Sequence, residues 1–172
     1  MSSWQTMQTK GRRMIKIKLN YILSAIAVAL LALCVASVYG PIRFDSQKRE
    51  RETAVKERLA AIRKAEEAYR LRYGTYAESF SKLTENRLIG DSMQYVPYSG
   101  GKRFELTISV HTGKSGKPVP LMECGAAYDA YLNGLDEKRI AELTEQANER
   151  GDYPGLKFGD ITTPNDNAGN WE

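Results

Sequence analysis

One stretch of this chain, from Leu19 to Ile42, contains no charged residue at all. Its 24 residues are dominated by Ala, Leu, Ile and Val. A helix rises about 1.5 Å per residue, so about 20 residues cross the roughly 30 Å core of a bilayer. The stretch is therefore long enough to span a membrane as one helix. We expect Gly40 and Pro41 to end this helix where it leaves the bilayer.

The positive net charge of the chain, +4, comes from one end. The first 40 residues contain no acidic residue and five basic ones, which are Lys10, Arg12, Arg13, Lys16 and Lys18. The rest of the chain holds all 21 acidic residues and has a net charge of −1. Basic residues beside an apolar helix mark the cytoplasmic side of a membrane. We therefore expect the charge to set membrane topology, and we expect no nucleic-acid partner.

These patterns predict three segments in a single-pass protein of the bacterial inner membrane. Residues 1–18 form a basic cytoplasmic tail, residues 19–42 form a transmembrane anchor, and residues 43–172 form a periplasmic domain. Two alternatives remain open for the apolar segment. It has the features of a secretory signal peptide cleaved after Ala36, and Cys34 lies in a sequence similar to a lipoprotein processing site.

The cysteine content excludes two kinds of stabilising element. The chain has two cysteines, Cys34 in the apolar segment and Cys124 in the soluble part, and we expect no disulfide between them. Two thiols in different regions also exclude a metal site built from thiolates. About 130 soluble residues are enough to form a hydrophobic core without such cross-links.

A long charged helix is predicted over residues 46–73. Apolar and aromatic positions recur at spacings of three and four, which is typical of one buried helix face. The positions on this stripe are Val55, Leu59, Ile62, Glu66, Tyr69 and Tyr73. Gly74 then provides the stop. We expect the stripe to pack on the domain's own sheet, with a short coiled coil as the alternative.

The remaining soluble residues predict an α+β fold with a small antiparallel sheet. A short helix is expected over 76–88, and an extended segment over 93–98. Alternating apolar residues predict a strand over 104–110, a hairpin loop over 112–117 and a returning strand over 119–124. Pro118 and Pro120 predict that the returning strand lies at the sheet edge. A helix over 136–150 and a short strand over 156–158 complete the domain.

Enzyme signatures are scarce, and we expect no catalytic activity. The single histidine, His111, has no nucleophile motif beside it. The segment from Gly113 to Lys117 lacks the glycine spacing of a phosphate-binding loop and joins two strands rather than opening a helix. Glu66 and Glu67 are interpreted as a solvated helix face rather than as an acid/base pair.

Four oxygen-bearing side chains are concentrated near the C-terminus. They are Asp160, Asn165, Asp166 and Asn167, and Gly159 and Gly169 flank them. Calcium takes six to eight oxygen ligands from carboxylates, amides and main-chain carbonyls. The segment therefore has the composition of a calcium-binding loop. An ordinary polar turn has the same composition, because Asp, Asn and Gly also favour turns.

The order of these elements resembles type IV pilins and the pseudopilins of type II secretion. The resemblance includes the apolar helix, the sequence Tyr73-Gly74-Thr75-Tyr76 at the end of the long helix, and the small sheet that follows. The C-terminal Gly159-Asp160 and Gly169-Asn170-Trp171 are similar to the loop that ends major pseudopilins. The chain departs from that family at its N-terminus, where Arg12 follows Gly11 and no acidic residue precedes Asp45.

The resemblance implies a pilin-like fold and a calcium ion held by Asp160 and Asp166, with Asn165 and Asn167 at positions that are often acidic in the family. It implies a structural subunit of a secretion, pilus-like or envelope assembly. Its partners would be the lipid bilayer and other protein subunits, including copies of itself. The alternative is a monomeric periplasmic domain that binds a small ligand or peptide in a pocket lined by tyrosines. These are Tyr95, Tyr98, Tyr128 and Tyr131.

Overall fold

The first element is one very long helix. The structure, a computed structural model, describes residues 3–112 and 116–172, with side chains described from Leu19 onward except at Ala36 and Val38. Helix α1 runs from Ser3 to Tyr73. It passes through Pro41, so the expectation that Gly40 and Pro41 end the helix is wrong. Pro41 removes one helical hydrogen bond at a cost of about 3 kcal/mol, whereas ending the helix would leave about four carbonyls without helical partners.

The chain divides into two compact units, Met1–Asp45 and Ser46–Glu172. In the first unit, the twelve large hydrophobic side chains that the structure describes from Leu19 to Ile42 are between 50% and 73% exposed. This helical part is long and apolar enough to cross a membrane, and no part of its apolar window is buried. A signal sequence or a core helix of a soluble protein has the same length and composition, although a core helix is normally mostly buried.

The second unit, here called the head, contains the rest of α1 and three shorter helices. The α1 stripe is buried from Val55 to Tyr69, as its spacing predicts, whereas Tyr73 is exposed. Helix α2 spans Phe80–Glu85, α3 spans Tyr128–Tyr131 and α4 spans Glu137–Arg150. The predicted extended segment over 93–98 is wrong at its start, because Asp91–Gln94 form a 3₁₀ turn before Tyr95 bridges to Arg103.

Helix α4 illustrates how local sequence sets element ends. Asp136 is the N-cap, and its carboxylate accepts hydrogen bonds from the backbone N–H groups of Lys138 and Arg139. Gly151 ends the helix in the left-handed conformation with φ of 73°. Ile140 and Ala147 form the buried face. The predicted helix over 136–150 is therefore confirmed to within one residue.

Three antiparallel strands form the sheet in the order β1-β2-β3. Strand β1 spans Glu105–Thr112, β2 spans Pro118–Ala127 and β3 spans Gly155–Gly159. The prediction that the returning strand is an edge is wrong, because β2 is central. Its two prolines are tolerated because β3 pairs only with residues 123–127, so Pro118 and Pro120 have a neighbour on one side only. The predicted hairpin loop lies partly outside the described residues.

The structure is therefore α+β, with a long N-terminal apolar helix and a small three-stranded antiparallel sheet. The core of the head combines α1 with β2 and β3. Its fully buried members include Leu59 and Ile62 from α1, Met122 and Cys124 from β2, and Phe158 from β3. Cys124 is a free thiol, and burial raises its pKa well above the usual value.

Candidate functional site: the C-terminal segment

The C-terminal segment, residues 160–172, follows a glycine that no other residue could replace without displacement of the backbone. Gly159 has φ of 76°, and a Cβ there would lie 2.1 Å from the carbonyl oxygen of Met122. The chain turns at this point and returns along β3. The Gly159 N–H donates to the carbonyl of Ala168, and Phe158 forms a bridge with Gly169.

Asn170 completes the outer edge of β3. Its N–H donates to the Lys157 carbonyl at 2.9 Å, and its side-chain oxygen accepts from the Lys157 N–H at 3.1 Å. Its side-chain amide donates to the carbonyl of Gly155 at 2.9 Å. One residue therefore satisfies three backbone groups of an edge strand, which protects that edge from pairing with another chain.

Asp160 is held in a tight turn by its neighbours. Its Oδ1 accepts hydrogen bonds from the Thr162 N–H at 2.6 Å, the Thr162 hydroxyl at 2.5 Å and the Thr163 N–H at 3.1 Å. These bonds favour the charged form and lower the pKa of Asp160, with the hydroxyl contact as the largest cause. Asp160 is therefore an oriented carboxylate, with Oδ1 already used within the protein.

Asn167 attaches the segment to α1 and to the turn that follows it. Its side-chain amide donates to the hydroxyl of Tyr76 at 2.8 Å, and its carbonyl accepts from Arg63 Nη1 at 3.1 Å. Asp166 and Asn167 both adopt the left-handed conformation, with φ of 52° and 56°. Asn165 accepts from the Ala168 N–H through its carbonyl, which closes the turn.

The last two residues add a second attachment. Glu172 accepts from Arg63 Nη1 at 2.8 Å and from the Gly169 N–H at 3.2 Å. The bond from Gly169, followed by that from Arg63, lowers the pKa of Glu172. The Trp171 ring covers Gly169, where an added Cβ would lie 2.6 Å from the ring. Arg63 thus links α1 to two points of the segment.

The four predicted metal ligands fall on this segment but have different roles. Asp160 and Asp166 are available as carboxylates, whereas the amide nitrogen of Asn167 is engaged with Tyr76. No three His, Cys, Asp or Glu side chains come together as a metal cluster within residues 3–112 and 116–172. A calcium ion here would need amide and main-chain oxygens besides two carboxylates, which its chemistry allows. The donor set is compatible with a hard cation, so calcium binding stays a prediction.

A row of arginines on α1 holds other loops of the head in the same way. Arg51 donates to the carbonyls of Tyr131 and Asn133 at 3.0 and 2.8 Å. Arg58 donates to the carbonyls of Ser92 and Tyr95. Sequence analysis missed this role, since carbonyl partners leave no sequence signal. A guanidinium offers five donors, so one arginine side chain can bind two backbone carbonyls of a loop at once.

Glu66 is the clearest departure from the sequence-based interpretation. Its side chain is fully buried rather than solvated, whereas Glu67 is exposed. Its Oε2 accepts from the Ala77 N–H at 2.8 Å, and Oε1 has no partner among the described residues. Burial raises the pKa of Glu66 to about 7, and the bond from Ala77 partly opposes this. Its place on the apolar stripe of α1 was the available sequence signal.

Cationic side chains pack against three of the four predicted pocket tyrosines, and one of these contacts is Lys48 Nζ at 6.0 Å from the centre of the Tyr128 ring. Arg51 lies 4.9 Å from the centre of the Tyr98 ring, and Arg103 lies 5.6 Å from that of Tyr95. The Tyr128 and Tyr131 rings are 5.9 Å apart, and only Tyr131 is fully buried. Three of the tyrosines thus have contacts that hold the loops on α1 or within the head.

Two cavities in the head are large enough for small molecules. One of about 600 Å³ lies along α4 and includes Asp129, Glu137 and Glu145 in its lining. A second of about 390 Å³ includes Tyr128 and Tyr153. The exposed His111 lies on β1 opposite Val119, away from the residues that line either cavity.

Comparison with known proteins found no match to this chain. No family model matches it, and no curated protein or solved structure is significantly similar. The resemblance to pilins and pseudopilins therefore stays a hypothesis based on the order of elements and on short motifs.

Proposed function

We propose that this chain is a membrane-anchored, pseudopilin-like structural subunit of a secretion, pilus-like or envelope assembly. Its N-terminus would be cytoplasmic and its head periplasmic, in the bacterial inner membrane. The observation that carries this proposal is the exposed apolar part of α1, followed by a head whose C-terminal segment is attached to the continuation of the same helix.

The exposed apolar side chains support the membrane assignment energetically. Twelve large hydrophobic side chains between Leu19 and Ile42 are at least half exposed. Leaving such a side chain in water rather than burying it costs about 1.5–3 kcal/mol. An uncovered row of this size is not a stable surface in water, so lipid or other subunits would cover it. The five basic residues from Lys10 to Lys18 favour a cytoplasmic N-terminus.

The described contacts of the head include arginines that hold loops on α1 and a C-terminal segment that covers the outer edge of β3, which fits a structural role. Calcium bound through Asp160 and Asp166 would lock this segment further. Its contribution would be structural, because the ion would neutralise two carboxylates and fix the turn between them.

Calcium binding is tested by the melting temperature of the full chain in detergent micelles. We expect a higher melting temperature with millimolar calcium than with chelator, because a ligand of the folded state stabilises it. The double variant Asp160→Ala with Asp166→Ala should lose that difference. Asp152→Ala, which removes a carboxylate paired with Arg150 outside the segment, should keep it. Equal melting of the wild-type chain with calcium and with chelator would refute the metal proposal.

Assembly is tested by crosslinking the tagged full chain in its native membrane and identifying what is attached. The proposal expects discrete crosslinked complexes containing this chain and other subunits. Replacing apolar residues on one face of the 19–42 segment, for example Leu30→Ala with Leu33→Ala, should reduce those complexes. A chain that stays monomeric in the membrane at its natural abundance would overturn the structural-subunit proposal.

The alternative function is a tethered periplasmic domain that binds a small ligand or peptide. The cavity of about 600 Å³ along α4 favours it, since this volume is in the range of ligand sites. Thermal-shift screening of the full chain against cationic and neutral small molecules distinguishes the two functions. A ligand whose effect disappears in Ala141→Trp, which fills the cavity, would support the alternative.

A further inference from the structure

Three parts of the sheet have no neighbouring strand on one side, and they differ in how they are protected from pairing with another chain. These are the outer edge of β3, the part of β2 that extends beyond β3, and the outer edge of β1. Asn170 and Gly169 cover the outer edge of β3. The part of β2 that extends beyond β3 carries Pro118 and Pro120, which have no N–H to offer a new strand. Within the described residues, the outer edge of β1 has neither form of protection, because β1 contains no proline and is the last strand of the sheet. Cover on this side ends just before β1, where the Phe104 N–H donates to the Gln94 carbonyl.

The register identifies the groups that this edge presents. Pro120 lies opposite Val110, and a proline cannot donate to β1, so these two residues form a non-hydrogen-bonded pair. Hydrogen-bonded and non-hydrogen-bonded pairs alternate along an antiparallel strand, and in a non-hydrogen-bonded pair the backbone N–H and C=O groups point away from the partner strand. The backbone groups that point away from β2 are therefore those of Leu106, Ile108, Val110 and Thr112. None of the four donates or accepts a backbone bond outside the sheet within the described part of the chain.

The side chains of this edge are suited to pairing with another strand. From Leu106 to Thr112 no residue is formally charged with the histidine neutral, and Leu106, Ile108 and Val110 occupy alternate positions on one face. Val110 is 62% exposed, although it is apolar. Natural edge strands are usually guarded by lysine, proline or a bulge, because an open edge recruits other chains.

We propose that β1 is the contact between two copies of this chain, paired antiparallel about a twofold axis through Ile108. Two three-stranded sheets would then form one continuous sheet of six strands. In this register Ile108 faces Ile108 of the second copy, and Leu106 faces Val110. Glu105 faces His111, which is a complementary pair whenever the histidine carries a proton. The contact uses the same surface on both copies, so it closes as a dimer.

Moving the axis by one residue lowers this complementarity. With the axis at Ser109, Ile108 would still face Val110, but Leu106 would face Thr112 and Glu105 would face a position beyond the end of β1. With the axis at Thr107, Val110 would face Phe104, whose N–H already donates to the Gln94 carbonyl. The axis at Ile108 therefore matches apolar with apolar along the strand. The inference rests on the proposed function, because one strand pair is a small contact and two anchored copies meet at a high effective concentration in one membrane.

Cysteine crosslinking tests the register in the full chain, reconstituted in vesicles on a Cys34→Ser background. Facing residues of a hydrogen-bonded pair have Cα atoms about 5.5 Å apart, which a disulfide can bridge. Ile108→Cys should therefore form a disulfide dimer under mild oxidation. In the matched control Val110→Cys, the two thiols would be about four residues apart, roughly 14 Å, and should not join. A dimer through Ser109→Cys in place of Ile108→Cys would overturn the proposed register.

Residue-resolved hydrogen exchange tests the same contact without a change in sequence. The amides of Leu106, Ile108 and Val110 should exchange at least tenfold more slowly at high than at low protein-to-lipid ratio, whereas Thr112 would face Phe104, whose N–H already donates to the Gln94 carbonyl. The alternate amides, which bond to β2, should be protected at both ratios. Val110→Lys should remove only the concentration-dependent protection, since it adds the usual edge guard. Fast exchange of the Leu106, Ile108 and Val110 amides in the wild-type chain at every ratio would refute the proposal.

The outcomes separate this inference from the proposed function. Native complexes that form without protection of β1 would refute the β1 contact and leave the structural-subunit proposal standing. Absence of any complex would refute both. Protection of β1 only when other membrane proteins are added, without an Ile108→Cys dimer, would replace the second copy with a different partner.

Discussion

The two parts of helix α1 have opposite relations between apolar character and exposure. Between Leu19 and Ile42 the helix is apolar all round, and its large side chains are at least half exposed. Between Ser46 and Tyr73 it is rich in charge, and Val55, Leu59 and Ile62 are completely buried. A helix that is apolar all round suits a uniform apolar surrounding, whereas one with a stripe suits a core on one side and water on the other.

This difference shows that one continuous helix can contain two different sequence patterns, each suited to a different environment. In the first part lipid would take the place of the core, so the order of the side chains around the helix matters little. In the second part each buried position meets a defined neighbour, so single substitutions have large effects. Substitution of a buried residue and of a matched exposed residue tests this difference, and substitution of Pro41 tests the junction between the two parts.

The largest expected effect is the loss of a buried leucine. Leu59→Ala should destabilise the head by about 2–5 kcal/mol, because it removes buried apolar surface and leaves a cavity. Leu31→Ala, at a position 66% exposed in the apolar part, is the matched control. Urea unfolding of the full chain in micelles, followed by the near-ultraviolet signal of the head, measures both. Equal effects of the two variants would contradict the division between the two parts.

The second prediction concerns the only charged group in the buried stripe. Since the pKa of Glu66 is about 7 in the folded head, the unfolded chain releases this proton first as pH rises. Glu66 therefore stabilises the fold fully below about pH 4.5, and that contribution is lost between there and about pH 7. Its size is at most about 3 kcal/mol.

Glu66→Gln keeps an acceptor for the Ala77 N–H and removes the charge. We expect this variant to lose that part of the pH dependence and to be more stable than the wild-type chain at pH 8. Glu67→Gln, the exposed neighbour, should follow the wild-type curve. Unfolding midpoints at several pH values between 4.5 and 8 measure this. A parallel decrease for wild type and Glu66→Gln would show that other groups cause the pH dependence.

A smaller effect is expected from the attachment of the C-terminal segment. Arg63→Ala removes the contacts to Asn167 and Glu172, and we expect about 1 kcal/mol of destabilisation because both contacts are partly exposed. Faster hydrogen exchange at Gly169 and Asn170 should accompany it. Lys64→Ala, at the exposed neighbouring position, should change neither quantity. Unchanged exchange in Arg63→Ala would mean that Tyr76 and the bonds of the segment to β3 hold it without Arg63.

The smallest effect is expected at the junction of the two parts. Because α1 continues through Pro41, Pro41→Ala should leave the helical content of the full chain in micelles within about one turn of the wild-type value. If Gly40 and Pro41 broke the helix, the alanine variant would gain helix measurably. Far-ultraviolet circular dichroism and amide exchange around Ile42 distinguish these results.

Local pattern predicted much of the fold, and the errors have physical causes. The caps of α4 and the alternation of β1 are local signals, so those elements were predicted correctly. Two predictions that depended on proline were wrong. Pro41 was read as a stop although a long helix tolerates one missing bond, and Pro118 and Pro120 were read as edge markers although β3 is too short to reach them. Both outcomes depend on residues distant from the proline.

The candidate site shows the same limit. Its residues could be selected from composition, but their different roles could not. Asn167 is a structural attachment because Tyr76, 91 positions earlier in the chain, lies beside it. Glu66 was interpreted as part of a solvated face although it lies on the stripe, and both its burial and its raised pKa depend on what covers that stripe.

The sequence by itself determined the apolar segment, the concentration of basic residues before it, the helical stripe and the alternating strand. Each depends on the periodicity of neighbouring residues, so no distant contact is needed to specify it. Only the tertiary structure decided the continuity of α1, the central place of β2, the burial of Glu66 and the attachments made by Arg63. These arise from the balance of desolvation and hydrogen bonding between segments far apart in the chain, which local patterns do not encode.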